Sequence, residues 1–298
     1  MVLDDTQRSQ TVKTPPPDGG GPLGAHRFTL GSIEQYSVLQ REPNMPKHPV
    51  VSSKEWIKAR KKLLKKEKKF SKLRDELTRQ RQELPWERVK KEYTFEGPDG
   101  KETLADLFDG RSQLIVYHFM FDPEWDEGCK SCSLIADLYN PSIIHLKHRD
   151  VTMVTLSRAP LEKLQAFKKR MGWSFKWVSS LESDFNWDYQ VSFTPEQMAE
   201  GKMYYNYKKG KTFPVAEAPG ISTFHKNEKG EVFHTYSSFA RGLETFMGVY
   251  QLLDIVPKGR DEGSLSYGME WVRHHDRYED GSFVDPYVEL MRDQQDAG

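Results

Sequence analysis

Two cysteines carry the chemistry that this sequence suggests. Cys129 and Cys132 are the only cysteines among 298 residues, and they stand in the order Cys-Lys-Ser-Cys. Two residues between the thiols allow a small internal disulfide to close, a spacing typical of thiol redox centres. A structural zinc site needs four ligands, and the chain has no second C-x-x-C. The pair therefore indicates dithiol chemistry, with Cys129 as the attacking thiolate and Cys132 as the resolving thiol.

The segments on either side predict how the cysteines are positioned. Residues 114–121 (LIVYHFMF) form an apolar run typical of a buried strand, an acidic turn follows, and residues 133–139 form an amphipathic helix. The cysteines then open a helix, whose unpaired N–H groups favour an anion. Lys130 adds positive charge, whereas the acidic turn works against the thiolate. We expect Lys130 and Trp125 to contact the substrate.

Composition bounds the class of protein. Lys and Arg together number 44, as do Asp and Glu, so the net charge of zero indicates no particular partner. No apolar run reaches the length of a membrane span, and the first ten residues lack the features of a secretory signal. Two cysteines in one C-x-x-C leave none for structural bridges, which suits a reducing compartment and predicts a cytoplasmic protein.

The chain before the cysteines divides into a tail and a helix. Residues 1–45 have a linker composition rich in Pro and Gly, which predicts a disordered tail. Residues 51–85 predict one long amphipathic helix, with Ser52 and Glu55 as a capping box. Apolar residues recur at every seventh position of this helix, at Trp56, Leu63 and Phe70 and beyond.

The charge of this helix has two interpretations. Between residues 52 and 84, 13 Lys and Arg stand against 5 Asp and Glu, a net of +8. Nucleic acid or an anionic membrane would fit this charge, but a solvated basic face is the interpretation we favour. We expect the apolar seam to pack on the helix's own domain, with no nucleic acid or membrane bound. The particle is then a monomer or a weak homodimer.

Residues 88–256 predict an α/β domain. A hairpin near residues 93–100 and a short helix closed by Gly110 precede the active-site strand, which resembles the opening of a thioredoxin-like domain of the peroxiredoxin type. A β-rich run at 151–156 and an amphipathic helix at 161–171 follow. The aromatic-rich segment 184–207 predicts an insertion that covers the sheet. A hairpin at 219–236 and a helix at 239–253 close the domain.

Pro219 enters the first strand of that last hairpin. The layout resembles the half of a thioredoxin fold in which a cis-proline lies against the disulfide and presents backbone to the substrate. We therefore assign Pro219 to that role and to substrate binding. A proline that merely begins a strand is the alternative, because X–Pro bonds are seldom cis.

Residues 257–298 predict an acidic C-terminal extension. From residue 261 onward 10 Asp and Glu stand against 3 Arg, a net of −7, and this extension could lie on the basic helix. His274 and His275 are adjacent, so they point in different directions and make an awkward pair of metal ligands. Surface or packing roles are the better interpretation of both, and we expect no metal.

Several stretches resemble a known family. From His48 to about Tyr278 the chain resembles the domain-of-unknown-function family 899, through HPVVSSKEW, LADLFDGRSQLIVYHFMF, the C-x-x-C site and WVRHHDRY. The resemblance implies a thioredoxin-like fold, with a central sheet flanked by helices, and a dithiol-disulfide oxidoreductase. It implies no settled substrate.

The expected function is thiol–disulfide exchange with a protein or small-molecule disulfide, which needs an external thiol reductant and no cofactor. A thiol peroxidase of peroxiredoxin type is one alternative, although Asp122 and Asp126 stand where that family's pattern has proline and threonine. A copper-binding protein using His118 or His234 beside the thiolates is another. A pure interaction protein acting through the helix seam is the third.

Overall fold

The chain forms a mixed α/β structure. The computed structural model describes residues 48–210 and 213–281, so the predicted tail 1–45 and the end of the acidic extension lie outside the described residues. The α-helices are α1 Ser53–Gln82, α2 Lys130–Tyr139, α3 Ile143–Lys147, α4 Leu161–Arg170, α5 Phe185–Asp188, α6 Pro195–Ala199 and α7 Gly248–Leu253. The strands are β1 Glu87–Arg88, β2 Thr94–Gly97, β3 Gly100–Thr103, β4 Gln113–His118, β5 Val151–Ser157, β6 Lys176–Ser179, β7 Tyr204–Tyr205, β8 Lys208–Lys209, β9 Gly220–Lys226 and β10 Val232–Phe239.

One eight-stranded sheet organises the described residues, in the order β1-β10-β9-β4-β5-β6-β2-β3. The strand β4 lies near its centre, parallel to β5 and antiparallel to β9. The helices α2 and α3 connect β4 to β5, and the hairpin of β9 and β10 lies on the other side of β4. A parallel βαβ unit beside an antiparallel hairpin is the thioredoxin-like arrangement that the sequence predicts, and this prediction is confirmed.

The sheet buries an apolar core on each of its faces. Successive side chains of a strand point to opposite faces, so β4 contributes Tyr117 to one core and Val116 to the other. The Tyr117 core includes α2 and α4. The Val116 core includes Phe108 from a short 3-10 helix and Phe185 from α5. Phe185 thus covers the sheet, as expected of the aromatic-rich insertion.

The long helix α1 begins where the sequence predicts. Ser52 caps it, with its hydroxyl 3.4 Å from the Glu55 backbone nitrogen and its own backbone nitrogen 3.0 Å from the Glu55 carboxylate. The helix has 30 residues, a length of about 45 Å at 1.5 Å per residue. It belongs to the same compact unit as the other described residues.

The prediction that the α1 seam packs on its own domain is wrong for the described residues. Trp56 is 58 % exposed and Phe70 65 % exposed, and no residue of α1 is buried. Near the end of the helix, Arg81 lies 5.6 Å from the centre of the Tyr236 ring. A seven-residue repeat shows that a helix has an apolar face, but the repeat does not identify what covers that face.

The segment after β10 departs from the single helix that the sequence predicts. The predicted helix at 239–253 is instead a 3-10 helix, Ala240–Phe246, followed by α7, because Met247 between them has ψ of 79°, outside the helical region.

Among residues 48–210 and 213–281, no helix has both the length and the apolarity that crossing a membrane requires.

Candidate active site

Cys129 and Cys132 lie where β4 leads into α2. The backbone N–H of Cys129 donates to the Met120 carbonyl at 3.0 Å, which ties the cysteine to the chain that continues β4. Cys129 is the N-cap of α2, and its sulfur lies 3.5 Å from the backbone nitrogen of Cys132. Both thiols are free and buried, with 6 % and 2 % of the residues exposed. The two thiols therefore lie at the N-terminus of a helix, at the position that the sequence predicts.

The turn before Cys129 approaches the core closely. A Cβ atom at Gly128 would lie 2.7 Å from the Phe119 ring and 3.1 Å from the Phe167 ring. Real Cβ atoms do not approach ring carbons at 2.7 Å, so glycine is the residue that lets the turn pass here. One acidic side chain of this turn, that of Glu127, is paired with cations. Glu127 accepts hydrogen bonds from Arg170 and Arg277, the latter at 2.9 Å.

The two thiols differ in acidity. The pKa of Cys129 is lowered to about 7, first because the Cys132 thiol donates a hydrogen bond to its sulfur. Burial opposes this shift, while the backbone N–H groups of Cys132 and Ser131 and the charge of Lys130 support it. Burial raises the pKa of Cys132, and its contact with Cys129 raises it further. Near neutral pH, one thiolate therefore stands beside one thiol.

Lys130 contributes positive charge from a buried position. Its ammonium donates to the carbonyls of Met269 at 3.2 Å and Glu270 at 3.0 Å, and it lies 5.5 Å from the centre of the Tyr267 ring. The side chain is thus directed at the C-terminal extension. Trp125 is partly buried and packs against the core on the Tyr117 face. Substrate contact by Lys130 and Trp125 stays a prediction.

Pro219 lies beside the dithiol but not as a cis-proline. Among the described residues every peptide bond is trans, so that part of the prediction is wrong. The trans form is the usual one for X–Pro bonds, and the sequence alone does not reveal the rare exceptions. Pro219 nevertheless lines the same cavity as both cysteines, and its carbonyl accepts a hydrogen bond from the Tyr205 hydroxyl at 2.7 Å.

A cavity of about 390 Å³ lies over the two sulfurs. Its walls come from the sheet, from α2, from residues 213–215 and from residues 240–250. The C-terminal extension closes one side with Tyr267, Gly268 and Met269. Its lining residues include Tyr117, Met120, Ile135, Leu243, Met247 and Met269. Sequence reasoning missed this role of the extension.

Glu262 holds the extension in place at one end. One of its carboxylate oxygens accepts from the Tyr250 hydroxyl at 2.5 Å, the Trp271 indole at 2.8 Å and the Met269 backbone N–H at 3.0 Å. Burial alone would raise the pKa of Glu262, but these hydrogen bonds lower it. The carboxylate therefore fixes the position of Met269 above the cavity.

His274 holds the extension at its other end. It is buried, and its Nε2 lies 2.8 Å from the Gly128 carbonyl, one residue before Cys129. A carbonyl only accepts, so Nε2 carries the proton. His275 is exposed, with Nδ1 2.8 Å from the Asp137 carboxylate. The packing role expected for His274 is confirmed.

The histidines of the copper alternative do not reach the thiols. His118 follows Tyr117 in β4 and points to the opposite face, where it stacks on Phe185 and bonds Ser222 at 2.9 Å. His234 lies on that face too, 5.5 Å from Phe224 between ring centres. No group of three or more His, Cys, Asp or Glu in the described part of the chain could hold a metal ion.

Comparison with solved structures gives several weak similarities. The chain is 12 % identical to peroxiredoxin Q of Xanthomonas campestris, over 55 % of this chain and 91 % of that one, with a TM-score of 0.37. It is 10 % identical to peroxidoxin BcpB of Mycobacterium tuberculosis, over 57 % and 97 %, with a TM-score of 0.37. It is 13 % identical to a protein of Chlorobium tepidum described as thiol:disulfide interchange protein DsbE, over 56 % and 94 %, with a TM-score of 0.34.

No curated protein shows significant sequence similarity to the chain. A family model does match, over residues 45–278, which is most of the sequence. Its description is "Bacterial protein of unknown function (DUF899)". The resemblance read from the sequence motifs is thereby confirmed, and the chain belongs to this family.

Proposed function

We propose that the protein is a dithiol–disulfide oxidoreductase. The observation that carries this proposal is the asymmetry of two free thiols at the N-terminus of α2. Cys129 has a pKa of about 7 and Cys132 a raised one, so a nucleophile and a protonated partner coexist near neutral pH. A pair of inert structural cysteines has no need of this difference in pKa.

Cys129 performs the first step. Its thiolate attacks one sulfur of a substrate disulfide, which breaks the S–S bond and forms a mixed disulfide with Cys129. The departing sulfur leaves as a thiolate and takes the proton of Cys132. The N–H groups at the start of α2 and the charge of Lys130 stabilise the Cys129 thiolate before attack.

Cys132 performs the second step. Once deprotonated, it attacks the Cys129 sulfur, closes the internal disulfide and releases the second substrate thiolate, which takes a proton from water. The dithiol has then lost two electrons and the substrate has gained them. An external thiol reductant restores the dithiol, and no cofactor takes part. The reverse direction uses the same atoms.

The test uses the two single variants of the full chain. Cys129→Ser should abolish disulfide turnover, because no thiolate starts the reaction. Cys132→Ser is the matched control, since it keeps Cys129 as the sole thiol, and it should accumulate a mixed disulfide visible by mass spectrometry. Equal and slow alkylation of both thiols in the reduced wild-type protein would contradict the proposal.

A thiol peroxidase is the second candidate, because a small hydroperoxide would also fit in a cavity over Cys129. There Cys129 would become a sulfenic acid, and Cys132 would condense with it to the disulfide and release water. Supplying hydrogen peroxide and a disulfide separately to the reduced protein distinguishes the two. Faster oxidation of the dithiol by peroxide than by any disulfide would favour the peroxidase.

A further inference from the structure

The enclosure of the dithiol bears on the size of its substrate. Cys129 is only 6 % exposed, and the extension residues Tyr267 to Met269 lie over the cavity. A disulfide on a protein surface carries backbone on both sides, which must approach the attacking sulfur together with the bond. A cavity of about 390 Å³ lies at the low end of the range for small-molecule sites, roughly 300–1,000 Å³.

The lining of the cavity bears on the polarity of its substrate. Met120, Ile135, Leu243, Met247 and Met269 give apolar walls around the sulfurs. Such walls remove water from the apolar part of a ligand and reject an unpaired charge.

The charged residues at the cavity have partners within the protein. Arg260 pairs with Asp254 at 2.7 Å and lies 3.5 Å from Glu244, while Arg241 pairs with Glu244 at 3.0 Å. Glu262 accepts the three hydrogen bonds described above. A substrate carboxylate or ammonium would therefore compete with a protein charge of the same sign for these partners.

The Tyr117 hydroxyl is a polar group in the wall of this apolar cavity. It is buried, and it shares a hydrogen-bonding contact with the neighbouring Cys132 thiol. The phenol is a donor, and a sulfur that acquires negative charge as it leaves is an acceptor for it.

We infer that the substrate is a small neutral disulfide with apolar substituents, which binds within the cavity, and not a disulfide of a protein. This inference rests on the proposed exchange reaction and specifies its substrate class. Cys129 attacks one sulfur of the bound disulfide, and the other leaves as a thiolate that receives the Cys132 proton and a hydrogen bond from Tyr117. Cys132 then closes the internal disulfide and releases the second thiol, so one disulfide becomes two thiols.

The first test compares three disulfides with the reduced full-length protein in single turnover. Dipropyl disulfide is neutral, 3,3′-dithiodipropionate has similar length and two negative charges, and insulin is a protein. Each rate is divided by the rate of 2-mercaptoethanol with the same disulfide, which removes differences of intrinsic reactivity. We expect dipropyl disulfide to exceed dithiodipropionate at least tenfold, with insulin slower still.

The outcomes separate the two proposals. A normalised rate for insulin or dithiodipropionate equal to that for dipropyl disulfide would overturn the inference and leave the exchange reaction standing. If no disulfide oxidises the dithiol faster than it oxidises 2-mercaptoethanol, the proposed function itself fails.

Variants of the cavity give a second test. Met269→Asp places a carboxylate above the sulfurs and should lower the normalised rate for dipropyl disulfide at least tenfold. Leu252→Asp is the matched control, because Leu252 lies on α7 with 64 % of its surface exposed. It should change the rate less than twofold. An unchanged rate in folded Met269→Asp would overturn the inference.

Tyr117→Phe keeps the ring and removes only the hydroxyl, so it serves if Met269→Asp does not fold. It should slow dipropyl disulfide several-fold, while the alkylation of Cys129 by iodoacetamide keeps its rate. Equal turnover of dipropyl disulfide by Tyr117→Phe and wild type would overturn the role given to the hydroxyl. A parallel loss in alkylation would show a structural effect instead and would overturn that role too.

Discussion

The lowered pKa of Cys129 depends first on the side chain of Cys132, so replacing Cys132 is the most direct way to change it. The Cys132 thiol donates to the Cys129 sulfur, and this contact is the largest cause of the lowered pKa. Cys132→Ala removes the donor, whereas Cys132→Ser retains a hydroxyl at nearly the same place. The backbone N–H groups of Cys132 and Ser131 remain in both variants, so the comparison isolates the side-chain hydrogen bond.

The size of the effect follows from the structure. Lowering the pKa of Cys129 from 9.0 to about 7 corresponds to ~3 kcal/mol in favour of the thiolate, at about 1.4 kcal/mol per unit. A hydrogen bond to a charged group contributes ~1.5–3 kcal/mol, which is about one to two units of pKa. Cys132→Ala should therefore raise the midpoint of Cys129 ionisation from about 7 to between about 8 and 9. Cys132→Ser should raise it by less than half as much.

The assay is the rate of Cys129 alkylation by iodoacetamide between pH 5 and 10, with the modified residue identified by mass spectrometry. The thiolate is the reactive form, so the rate should rise with pH, reach half its maximum near pH 7 in the wild type, and level off above it. In the wild type Cys132 should stay unmodified where Cys129 has already reacted, because its pKa is raised. An unchanged midpoint in Cys132→Ala, or prior alkylation of Cys132, would refute this account of the site.

Two further predictions concern buried groups near the dithiol. His274→Ala removes the hydrogen bond to the Gly128 carbonyl and should cost ~1–3 kcal/mol of unfolding free energy in urea titrations. His275→Ala, at the exposed neighbouring residue, should cost less than about 1 kcal/mol. Equal losses in the two variants would contradict the difference in burial. Glu217 is buried against Arg158 at 2.8 Å, and burial raises its pKa to about 7 in spite of that cation. Arg158→Met should then cost about 1 kcal/mol more unfolding free energy at pH 8, where the wild-type carboxylate is ionised and paired, than at pH 5, where the carboxyl holds its proton; a loss independent of pH would show that the charge of Glu217 is not the cause.

The position of the dithiol could be predicted because its signals are local. An apolar run, a turn and a C-x-x-C that opens a helix lie within 27 residues, and each reports on its own segment. The hairpin before β4 and the hairpin of β9 and β10 were predictable for the same reason, since turn residues and alternation act over a few positions. Cys129 thus became the N-cap of α2 as the spacing indicates.

The rest of the site could not be predicted because it depends on contacts across long stretches of chain. Lys130 binds carbonyls at residues 269 and 270, and His274 binds the carbonyl of Gly128, about 140 residues away in the sequence. No local pattern in the C-terminal extension indicates these partners. The acidic composition of the extension suggested the basic helix α1 instead, because formal charge is visible in a sequence and a backbone carbonyl is not.

The pKa of Cys129 also limits what the thiolate contributes to the direction of electron flow. A thiolate stabilises the reduced dithiol relative to the disulfide, and a strongly oxidising pair needs a large stabilisation of this kind. The lowered pKa of Cys129 leaves thiolate and thiol both populated near neutral pH, so ionisation stabilises the reduced form only modestly. Ionisation therefore leaves the dithiol able to donate or accept electrons at neutral pH. The relative binding of disulfide and thiols in the cavity, together with the external reductant, must then decide the direction.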